Sequence, residues 1–389
     1  MKKQICFYIN TFVVGGIEKV LIELLKNIDK NKFNVTLLIG FKLDEMEKLK
    51  SDLPKDIKIE YILENDFFCR IKKKKSMGKL NKFKKIFGES FSWLRKIIFR
   101  KRLFEKIKNM DVIIDFDMTL ASYAKDIKNK IVTFCHFSPK NYHRGIKSRQ
   151  RKHGERLNNY DKVIMISDEM KQEALEMYPF LEKKLLRVYN SFDIERILKM
   201  SEEKIEDKKI EDKYILAVGR LEETQKDFTT LIKAYALIEK RIQEKLFIIG
   251  EGRHQENLIS LVKKMNLEDR VTFLGFQKNP YPWMRKASLF IHSSKFEGLP
   301  TVVIEALILK KLIIATDCPT GPKEILDNGK NGILTEIGNE NQMAQAIEKI
   351  LIKKDENENY LKNSLDKIKE FDSRNVMKEL EKILLQLGE

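Results

Sequence analysis

Residues 289–316 read LFIHSSKFEGLPTVVIEALILKKLIIAT. The two ends, Leu289–His292 and Leu312–Thr316, are short apolar runs of the kind that forms strands buried on both faces of a sheet. Between them a Gly-Leu-Pro loop enters an apolar helical pattern, and proline is tolerated in the first turn of a helix. A strand, a helix and a second strand in this order predict a parallel β-α-β unit.

The same alternation of apolar runs and amphipathic helices extends along most of the chain. One predicted helix, Ile17–Ile28, carries an apolar stripe on one face. Regular alternation of this kind predicts an α/β fold with two doubly wound, Rossmann-like parallel sheets. The remaining predicted strands are Gln4–Asn10, Asn34–Ile39, Ile57–Ile62, Val112–Phe116, Lys130–His136, Lys162–Ile166, Leu185–Tyr189, Tyr214–Val218, Lys245–Ile249, Val271–Leu274 and Gly332–Thr335.

The chain has 389 residues, which is too long for one ordinary domain and sufficient for two. A very polar stretch, residues 199–213, separates the two series of strands and reads as a linker. We therefore predict an N-terminal domain over residues 1–198 and a C-terminal domain over residues 214–370. The last pattern, within residues 371–389, predicts a helix that packs back on the N-terminal domain.

Cysteine usage and hydropathy limit the cellular setting. The four cysteines are scattered without a Cys-x-x-Cys pair, so we expect a reducing compartment, no disulfide and no zinc site. The apolar run Ile5–Ile9 is too short for a signal peptide, and no apolar run approaches the roughly 20 residues that span a bilayer. The expected protein is cytoplasmic, either soluble or peripheral to a membrane.

The positive charge is concentrated in residues 70–108, which hold sixteen Lys or Arg against two glutamates. Phe, Trp, Ile and Leu side chains are interleaved with these cations. One interpretation is a helical hairpin with a solvated face. The other is an element that lies on the anionic inner leaflet of the cytoplasmic membrane. Nucleic-acid binding is not expected, because nothing in the stretch resembles a module that reads bases.

Two carboxylates, Glu297 and Glu305, flank the start of the helix predicted above. If the intervening residues are mostly helical, a rise of about 1.5 Å per residue places the two Cα atoms roughly 12 Å apart. A pair of hydrolytic carboxylates needs a separation of about 5–9.5 Å. The longer spacing suits two ends of one long ligand with an anion between them, since helix N-termini bind phosphate.

Ligands of doubly wound sheets bind beyond the carboxyl ends of the strands. Glycines, cations and carboxylates follow predicted strands in both halves of the chain, which predicts a cleft between the two domains. A dinucleotide site of the G-x-G-x-x-G type is not expected, because Gly15-Gly16 lacks that spacing. The residues concerned are Gly15-Gly16, His136, Ser167, Gly219-Arg220, Lys226, Gly250-Glu251-Gly252, Glu297-Gly298 and Glu324.

Taken together, these segments resemble the retaining glycosyltransferases of family 4, which have the two-domain GT-B fold. The resemblance covers nearly the whole chain and is strongest in residues 214–335. Glu297 and Glu305 resemble that family's E-x7-E motif, and Arg220 with Lys226 resembles its phosphate-binding Arg/Lys pair. Ile248–Arg253 and Val271–Gly275 are similar to its nucleotide-base loops, and Gly15–Lys19 to its N-domain loop that faces the donor phosphates.

The resemblance implies a role for each matched residue. Arg220 and Lys226 would hold the diphosphate of a sugar nucleotide, so that no metal is required. Glu305 would bind the ribose, Glu297 the sugar ring, and His136 would lie beside the transferred sugar. Glu297, His136, Arg220 and Lys226 are the implied catalytic residues. The implied donor-binding residues are Gly15, Gly16, Gly219, Gly250, Gly252, Arg253, Phe276, Glu297, Gly298, Leu299, Pro300, Thr301 and Glu305.

Each of these residues also has a plainer interpretation. The two carboxylates could be surface groups favoured by the helix dipole, Arg220 could form a structural ion pair, and Lys226 could be a solvated lysine. Asp115-Phe-Asp117 resembles the Asp-x-Asp metal motif of the other glycosyltransferase fold, but we interpret it as a strand end without a metal. Four histidines show no ligand spacing and are expected to be structural or exposed: His143, His153, His254 and His292.

The implied activity is retaining, metal-independent transfer of a hexose or N-acetylhexosamine, from a UDP-linked donor, to a lipid-linked glycan. Such acceptors belong to bacterial lipopolysaccharide, lipooligosaccharide or surface polysaccharide synthesis. Alternatives are an inverting transferase, a sugar-nucleotide epimerase and a non-enzymatic nucleic-acid-binding protein. Thr320–Glu324 departs from the family's commoner Gly-Gly-x-x-Glu turn, and the sequence leaves the sugar and the acceptor undecided.

Overall fold

The computed structural model describes residues 2–13, 15–64, 67–76, 92–142, 146–354 and 356–387. The chain divides into two compact units, each with its own parallel sheet. Unit 1 consists of Met1–Ile166, Lys171–Ser191 and Ser373–Glu389. Unit 2 consists of Ser167–Met170 and Phe192–Asp372.

The sheet of unit 1 has seven strands in the order β3-β2-β1-β4-β5-β6-β7, and every pairing is parallel. Both of its faces are covered, so the central strands read as continuous apolar runs with almost no solvent exposure. The strands are β1 Lys3–Thr11, β2 Phe33–Phe41, β3 Lys58–Leu63, β4 Val112–Asp115, β5 Lys130–Cys135, β6 Lys162–Met165 and β7 Leu185–Arg187.

The sheet of unit 2 has six strands in the order β10-β9-β8-β11-β12-β13, again all parallel. Its core lies between this sheet and the helices that pack on it, with Leu231, Ile248 and Ile347 fully buried. The strands are β8 Tyr214–Val218, β9 Lys245–Ile249, β10 Val271–Gly275, β11 Leu289–His292, β12 Ile313–Thr316 and β13 Ile333–Thr335.

Helices connect the strands in both units. Those before residue 192 are α1 Gly16–Asn27, α2 Phe67–Ser76, α3 Ser92–Ile107, α4 Pro139–Tyr142, α5 Lys147–Leu157 and α6 Asp168–Met177. Those that follow are α7 Ile194–Met200, α8 Phe228–Ala236, α9 Gln255–Lys264, α10 Tyr281–Lys286, α11 Thr301–Ile308, α12 Pro322–Ile325, α13 Glu340–Glu348, α14 Asn357–Phe371 and α15 Ser373–Gln386.

All thirteen predicted strands are present, and the expected α/β class with two doubly wound parallel sheets is confirmed. The boundary between the units differs from the predicted one, since the long segment of unit 2 begins at Phe192 rather than after a linker at residues 199–213. The physical reason is that residues 200 and 201 are bonded to α10 and to a residue just before it: Asn279 donates to the Met200 carbonyl at 2.8 Å, and Arg285 of α10 donates to Ser201 Oγ at 3.1 Å.

The last helix, α15, belongs to unit 1 and packs on α1. Its Glu381 accepts hydrogen bonds from the backbone N–H of Asp29 and from the Lys32 ammonium, both at 2.8 Å. Glu381 itself is buried. A buried carboxylate is unfavourable unless it is hydrogen-bonded or paired with a cation. Any other placement of α15 would remove these two bonds from Glu381, so they fix the position of α15 on unit 1.

In both sheets the strand order reverses beside the first strand of the series. In unit 1 the reversal lies between β1 and β4, and in unit 2 it lies between β8 and β11. The two connections that leave these neighbouring strands run in opposite directions, so a crevice opens beyond their carboxyl ends. The residues that follow β8 and β11 are therefore the first place to look for a ligand site in unit 2.

The basic stretch at residues 70–108 is partly used inside unit 1. Lys73 pairs with Glu45 at 2.8 Å, Lys106 pairs with Glu60 at 2.7 Å, and the buried face of α3 includes Phe99, Leu103 and Ile107. Residues 77–91 of the stretch lie outside the described residues, as do the side chains of Lys74 and Lys75. Among the helices that the structure describes, none is both long and apolar enough to cross a bilayer.

Candidate functional site

The carboxyl ends of β8 and β11 are joined by a short backbone pairing beyond the sheet. The N–H of Lys295 donates to the Gln225 carbonyl at 2.8 Å, and the N–H of Asp227 donates to the Ser293 carbonyl at 3.1 Å. Lys226 and Ser294 form an antiparallel bridge between these two bonds. The backbone thus places Lys226 directly beside the loop that leads to Glu297.

Lys226 and Glu297 form an ion pair at this place. The ammonium of Lys226 donates to Oε1 of Glu297. The two side chains are 13% and 9% exposed, so the pair is largely withdrawn from water. The plainer interpretation of Lys226 as a solvated lysine is therefore wrong, and so is that of Glu297 as a surface carboxylate.

Three further groups surround the Glu297 carboxylate. Ser294 Oγ donates to Oε1 at 2.7 Å, and Gln225 donates to Oε2 at 3.2 Å. His292 Nε2 lies 3.3 Å from Oε1, and it is also 3.4 Å from the Lys226 ammonium. A carboxylate that accepts this many bonds is held in a single orientation, because each bond restricts the side chain.

The charges of the cluster follow from these contacts. Burial acts to raise the pKa of Glu297, but the Lys226 cation and the His292 contact outweigh it and hold that pKa well below its ordinary value. Burial and the Lys226 cation both lower the pKa of His292. At neutral pH the cluster therefore contains one carboxylate, one ammonium and a neutral imidazole.

The backbone of Glu297 is tied to the loop after β12. The N–H of Glu297 donates to the Pro319 carbonyl at 2.9 Å, and the N–H of Thr320 donates to the Glu297 carbonyl at 3.2 Å. Thr320 Oγ1 also donates to the Gly298 carbonyl at 2.8 Å. The departure from a Gly-Gly turn noted in the sequence thus supplies a buried side chain that locks the Glu297 loop.

Glycines line the neighbouring strand ends because backbones approach each other closely there. A Cβ on Gly250, whose φ is +139°, would lie 1.9 Å from the Gly219 carbonyl oxygen. A Cβ on Gly252 would lie 2.3 Å from the Leu221 carbonyl oxygen. A Cβ on Gly219 would make only an ordinary van der Waals contact, at 3.5 Å, with the Lys226 stem. Close backbone approach therefore requires glycine at positions 250 and 252.

Beyond the loop, Pro300 occupies the N-cap position and α11 begins at Thr301. As predicted, Glu297 lies in the loop before this helix and Glu305 lies within it. Glu305 is buried, and the Tyr281 hydroxyl lies 3.4 Å from its Oε1. Leu299 and Pro300 are buried next to Gly298, and Thr301 is half-buried.

The other predicted donor-site residues of unit 2 are more open. Arg220 is exposed and makes no ion pair within the described ranges, so its guanidinium is available to an anion. Arg253 instead pairs with Glu222 at 2.6 Å. Phe276, directly after β10, exposes 55% of its surface. An exposed ring of this kind offers a flat apolar face to a base.

Three predicted site residues belong to unit 1. Gly15 and Gly16 begin α1, with Gly15 in an extended conformation at its N-cap. His136 follows β5 and is buried, and its Nε2 donates to the Phe116 carbonyl at 2.8 Å. Burial lowers the pKa of His136 to about 4, so the imidazole is neutral at pH 7 and cannot act as a cationic acid there.

Asp115 ends β4, and Asp117 lies two residues beyond it. Asp115 is fully buried and accepts from the Leu120 N–H at 2.9 Å and from the Tyr160 hydroxyl at 2.5 Å. Asp117 accepts from the Asn10 N–H at 2.9 Å. Burial, together with the Asp117 charge, raises the pKa of Asp115. Over the described part of the chain, no group of three or more His, Cys, Asp or Glu side chains could hold a metal ion.

His292, which was expected to be structural or exposed, is buried at the centre of the cluster. The sequence signal that points to it is its position at the end of β11. Ser294 and Gln225 were likewise given no role, although both donate to Glu297. His143 lies outside the described residues.

The arrangement offers a buried cation, a second cation in solvent, a helix start and two buried carboxylates along one edge of a sheet. Fixed positive charge and helix N–H groups bind an anion and stabilise charge that develops on it. Carboxylates bind the hydroxyls of sugars as paired acceptors. The site therefore fits a ligand that carries phosphate in its middle and hydroxyls on both sides.

Two family models match the chain in succession. "Glycosyltransferase Family 4" matches residues 14–196, and "Glycosyl transferases group 1" matches residues 199–367. Together they cover most of both units, and the second contains the whole Lys226 and Glu297 cluster.

Two relatives and one solved structure illustrate the similarity. The chain is 34% identical over 214 residues, 55% of its length, to N-acetylgalactosamine-N,N'-diacetylbacillosaminyl-diphospho-undecaprenol 4-alpha-N-acetylgalactosaminyltransferase of Campylobacter jejuni. It is 32% identical over 255 residues, 57% of its length, to an uncharacterized glycosyltransferase of Methanocaldococcus jannaschii. It spans only 57% and 62% of those two proteins.

A crystal structure of Anabaena HepE in complex with UDP and glucose superimposes with a TM-score of 0.77 at 18% identity, covering 99% of this chain and all of HepE.

Proposed function

Because the chain belongs to the group 1 glycosyltransferases and has their GT-B fold, we propose that it transfers a sugar from a nucleotide donor to a lipid-linked glycan. The observation that carries the proposal is the Lys226–Glu297 pair at the strand-order reversal of unit 2, with Arg220 exposed nearby in sequence. This is the place where doubly wound sheets bind nucleotides, and the pair combines groups for phosphate and for sugar.

The donor we propose is a UDP-linked hexose or N-acetylhexosamine. Arg220 and Lys226 bind its diphosphate, Glu305 its ribose and Glu297 its sugar ring. The leaving diphosphate develops negative charge, and a cation already fixed in a dry site stabilises that charge without rearrangement. UDP is favoured because the HepE structure of the same fold was solved with UDP. These two cations provide the charge that a divalent metal provides in other transferases.

We propose that the reaction retains the anomeric configuration. The acceptor hydroxyl attacks the anomeric carbon on the face from which the diphosphate leaves. The bond from that carbon to the phosphate oxygen breaks, the bond to the acceptor oxygen forms, and the hydroxyl proton passes to the diphosphate. No protein nucleophile is needed. The neutral His136 imidazole of unit 1 contacts the transferred sugar as a hydrogen-bonding group, and Gly15 and Gly16 contact the donor phosphates.

The acceptor is a glycan on a lipid carrier, of the kind used to build bacterial surface polysaccharide or lipopolysaccharide. Support comes from the Campylobacter jejuni relative, whose substrate is a diphospho-undecaprenol glycan. The acceptor site is assigned to unit 1. Such an acceptor lies in a membrane, so the enzyme would act at the inner face of the cytoplasmic membrane.

A donor screen followed by product analysis tests the proposal. UDP-sugars should raise the melting temperature more than GDP-sugars, since a ligand at 100 times its Kd stabilises the native state by about 2.7 kcal/mol. With the stabilising donor and a lipid-linked glycan, NMR should show a product with the donor's anomeric configuration, in EDTA as well as without it. An inverted anomer would favour an inverting transferase. Interconversion of the donor without transfer would show an epimerase.

We also propose that α3 rests on anionic lipid. Its outer face exposes Trp93 and Ile97, which are 61% and 55% exposed, together with the cations Lys96 and Lys101. Aromatic and aliphatic side chains insert into the headgroup region, and each Lys or Arg near an anionic surface contributes about 1 kcal/mol. A helix with this composition on an enzyme for lipid-linked substrates fits a membrane-contacting element.

Replacing Trp93 and Ile97 together with Ser should reduce flotation with liposomes that contain phosphatidylglycerol. The apolar insertion is lost while the charge and the buried face of α3 stay unchanged. Leu237→Ser is the matched control, because Leu237 is 52% exposed on unit 2 and should not affect flotation. Equal flotation of the double variant and the wild type would contradict the proposal that α3 contacts the membrane.

A further inference from the structure

Three hydrogen-bonding groups in unit 2 meet one nitrogen of His292. Its Nε2 lies 3.3 Å from Glu297 Oε1, 3.4 Å from the Lys226 ammonium and 3.2 Å from Ser294 Oγ. The residue is 3% exposed. Its other nitrogen, Nδ1, is buried and has no hydrogen-bond partner in the described part of the chain. All polar contact of this imidazole is thus made through Nε2, with the ion pair and with Ser294.

The contact suits a neutral imidazole in either tautomer. With a proton on Nε2, the ring donates to Glu297, and without it the ring accepts from the Lys226 ammonium. A protonated ring would place a second cation 3.4 Å from Lys226 in a dry site, where like charges repel strongly. The ring therefore lies against both members of the pair without adding charge to it.

We propose that His292 is a positioning residue for glycosyl transfer, which acts through Lys226 and Glu297. This deepens the function proposed above and rests on it. His292 holds the ammonium and the carboxylate at the places where the diphosphate and the sugar ring will meet them. The substrate is not in contact with the imidazole.

The need for such a residue follows from the chemistry of lysine. Its ammonium is a compact charge on a flexible four-carbon stem, so one ion pair leaves several stem conformations open. A donor phosphate also competes with Glu297 for that ammonium. His292 is a neutral second partner for that ammonium, which limits how far Lys226 moves when the phosphate takes the place of Glu297. Positions at a reacting centre matter, since a shift of about 1 Å can slow a reaction about 100-fold.

The competing interpretation is that His292 only fills space under the strand end. The two interpretations differ in what they require of the side chain. Space filling requires volume, which Leu provides. Positioning requires a polar atom at the place of Nε2, which the terminal amide of Gln provides and the shorter Asn does not. Gln can replace either tautomer, because its amide both donates and accepts.

The test compares His292→Gln, His292→Leu and His292→Asn in the full-length protein with the UDP-sugar identified by the screen. We expect kcat of the Gln variant within about threefold of wild type, and kcat of the Leu and Asn variants lower by about 10- to 100-fold. The Kd for UDP, measured by calorimetry, should change much less than kcat. Circular dichroism and the melting temperature establish whether each variant is folded.

Two outcomes would overturn the positioning role. One is equal kcat in folded Leu and Gln variants, which shows that volume alone suffices. The other is a Gln variant as slow as the Leu and Asn variants, which shows that a polar atom at Nε2 does not restore the function. A wild-type protein that neither binds UDP nor transfers sugar would instead refute the proposed function itself, whatever the variants do.

Discussion

Lys226→Met lowers the rate of glycosyl transfer by roughly 100- to 1,000-fold, the range found when one fixed donor to a developing negative charge is removed. The Lys226 ammonium pairs with Glu297 in a site from which most water is excluded. Met keeps the length of the stem and its packing near Gly219 but carries no charge. The loss should appear mainly in kcat, because the leaving diphosphate is most negative in the transition state. Steady-state kinetics with the UDP-sugar donor measure it.

The same substitution also reduces stability, and this effect can be separated from the catalytic one. Met leaves the Glu297 carboxylate buried without its cation, and breaking a buried pair in this way costs about 3–5 kcal/mol. Adding Glu297→Gln should restore most of the melting temperature, since removing both charges is often nearly neutral. It should not restore activity. Because Glu297→Gln itself removes the sugar acceptor, a double variant that is stable and inactive shows that loss of stability is not the cause of the inactivity.

Lys295→Met is the matched control for Lys226→Met. Lys295 belongs to the same loop pairing, but its side chain is 43% exposed. It pairs with Asp227 at 3.9 Å and donates to the Glu223 carbonyl at 2.8 Å, away from Glu297. Its substitution should leave the rate within about twofold, as is usual for surface positions. A Lys226→Met variant that kept more than about a tenth of the wild-type rate would exclude Lys226 from stabilising the leaving group.

Glu297→Gln abolishes detectable transfer but tightens the binding of UDP. The carboxylate is lost as an acceptor for sugar hydroxyls, so the rate should fall at least about 100-fold. Free UDP has no sugar and does not need that acceptor. In the wild type its phosphates must draw Lys226 away from Glu297, and in the variant Lys226 is already released. We expect the Kd for UDP to decrease by about three- to tenfold, which corresponds to about 0.7–1.4 kcal/mol.

Calorimetric titration of UDP into both proteins tests this expectation, with Glu268→Gln as the control. Glu268 is exposed in unit 2, and its substitution removes one negative charge without touching the cluster. If Glu268→Gln lowered the Kd for UDP by the same factor, the gain in affinity would come from net charge alone. Weaker UDP binding by Glu297→Gln would show that the carboxylate supports phosphate binding. That result would contradict the expected transfer of Lys226 from Glu297 to the phosphates.

Much of the fold follows from patterns that are local in the chain. Tyr214–Val218, Lys245–Ile249 and Leu289–His292 are strands with the bounds that their apolar runs predict. Strands of a parallel sheet are buried on both faces, so hydropathy alone marks them. The unit boundary at Phe192 was not predictable in this way, because it depends on the contacts that Met200 and Ser201 make with Asn279 and Arg285.

The sequence pointed to two members of the cluster but not to their contact. The carboxylate pattern and the resemblance to the family's motifs pointed to Glu297 and Lys226, and the structure brings these two together across 71 positions of the chain. Their contact depends on the backbone bonds between residues 225–227 and 293–295, which no local pattern reveals. His292 was missed for a related reason. A histidine at a strand end carries no information about its neighbours until β8 and β11 lie side by side.

The return of α15 to unit 1 has a consequence for the order of events during translation. The groups that bond to Glu381 include Asp29 and Lys32, which leave the ribosome early, whereas Glu381 is synthesised only after all of unit 2. At about 5–20 residues per second, the roughly 180 residues of unit 2 take about 10–40 seconds to make. During that time the surface of α1 that receives α15 stays uncovered. The first unit to emerge is thus the last to be completed, and a chaperone that shields α1 would act in this interval.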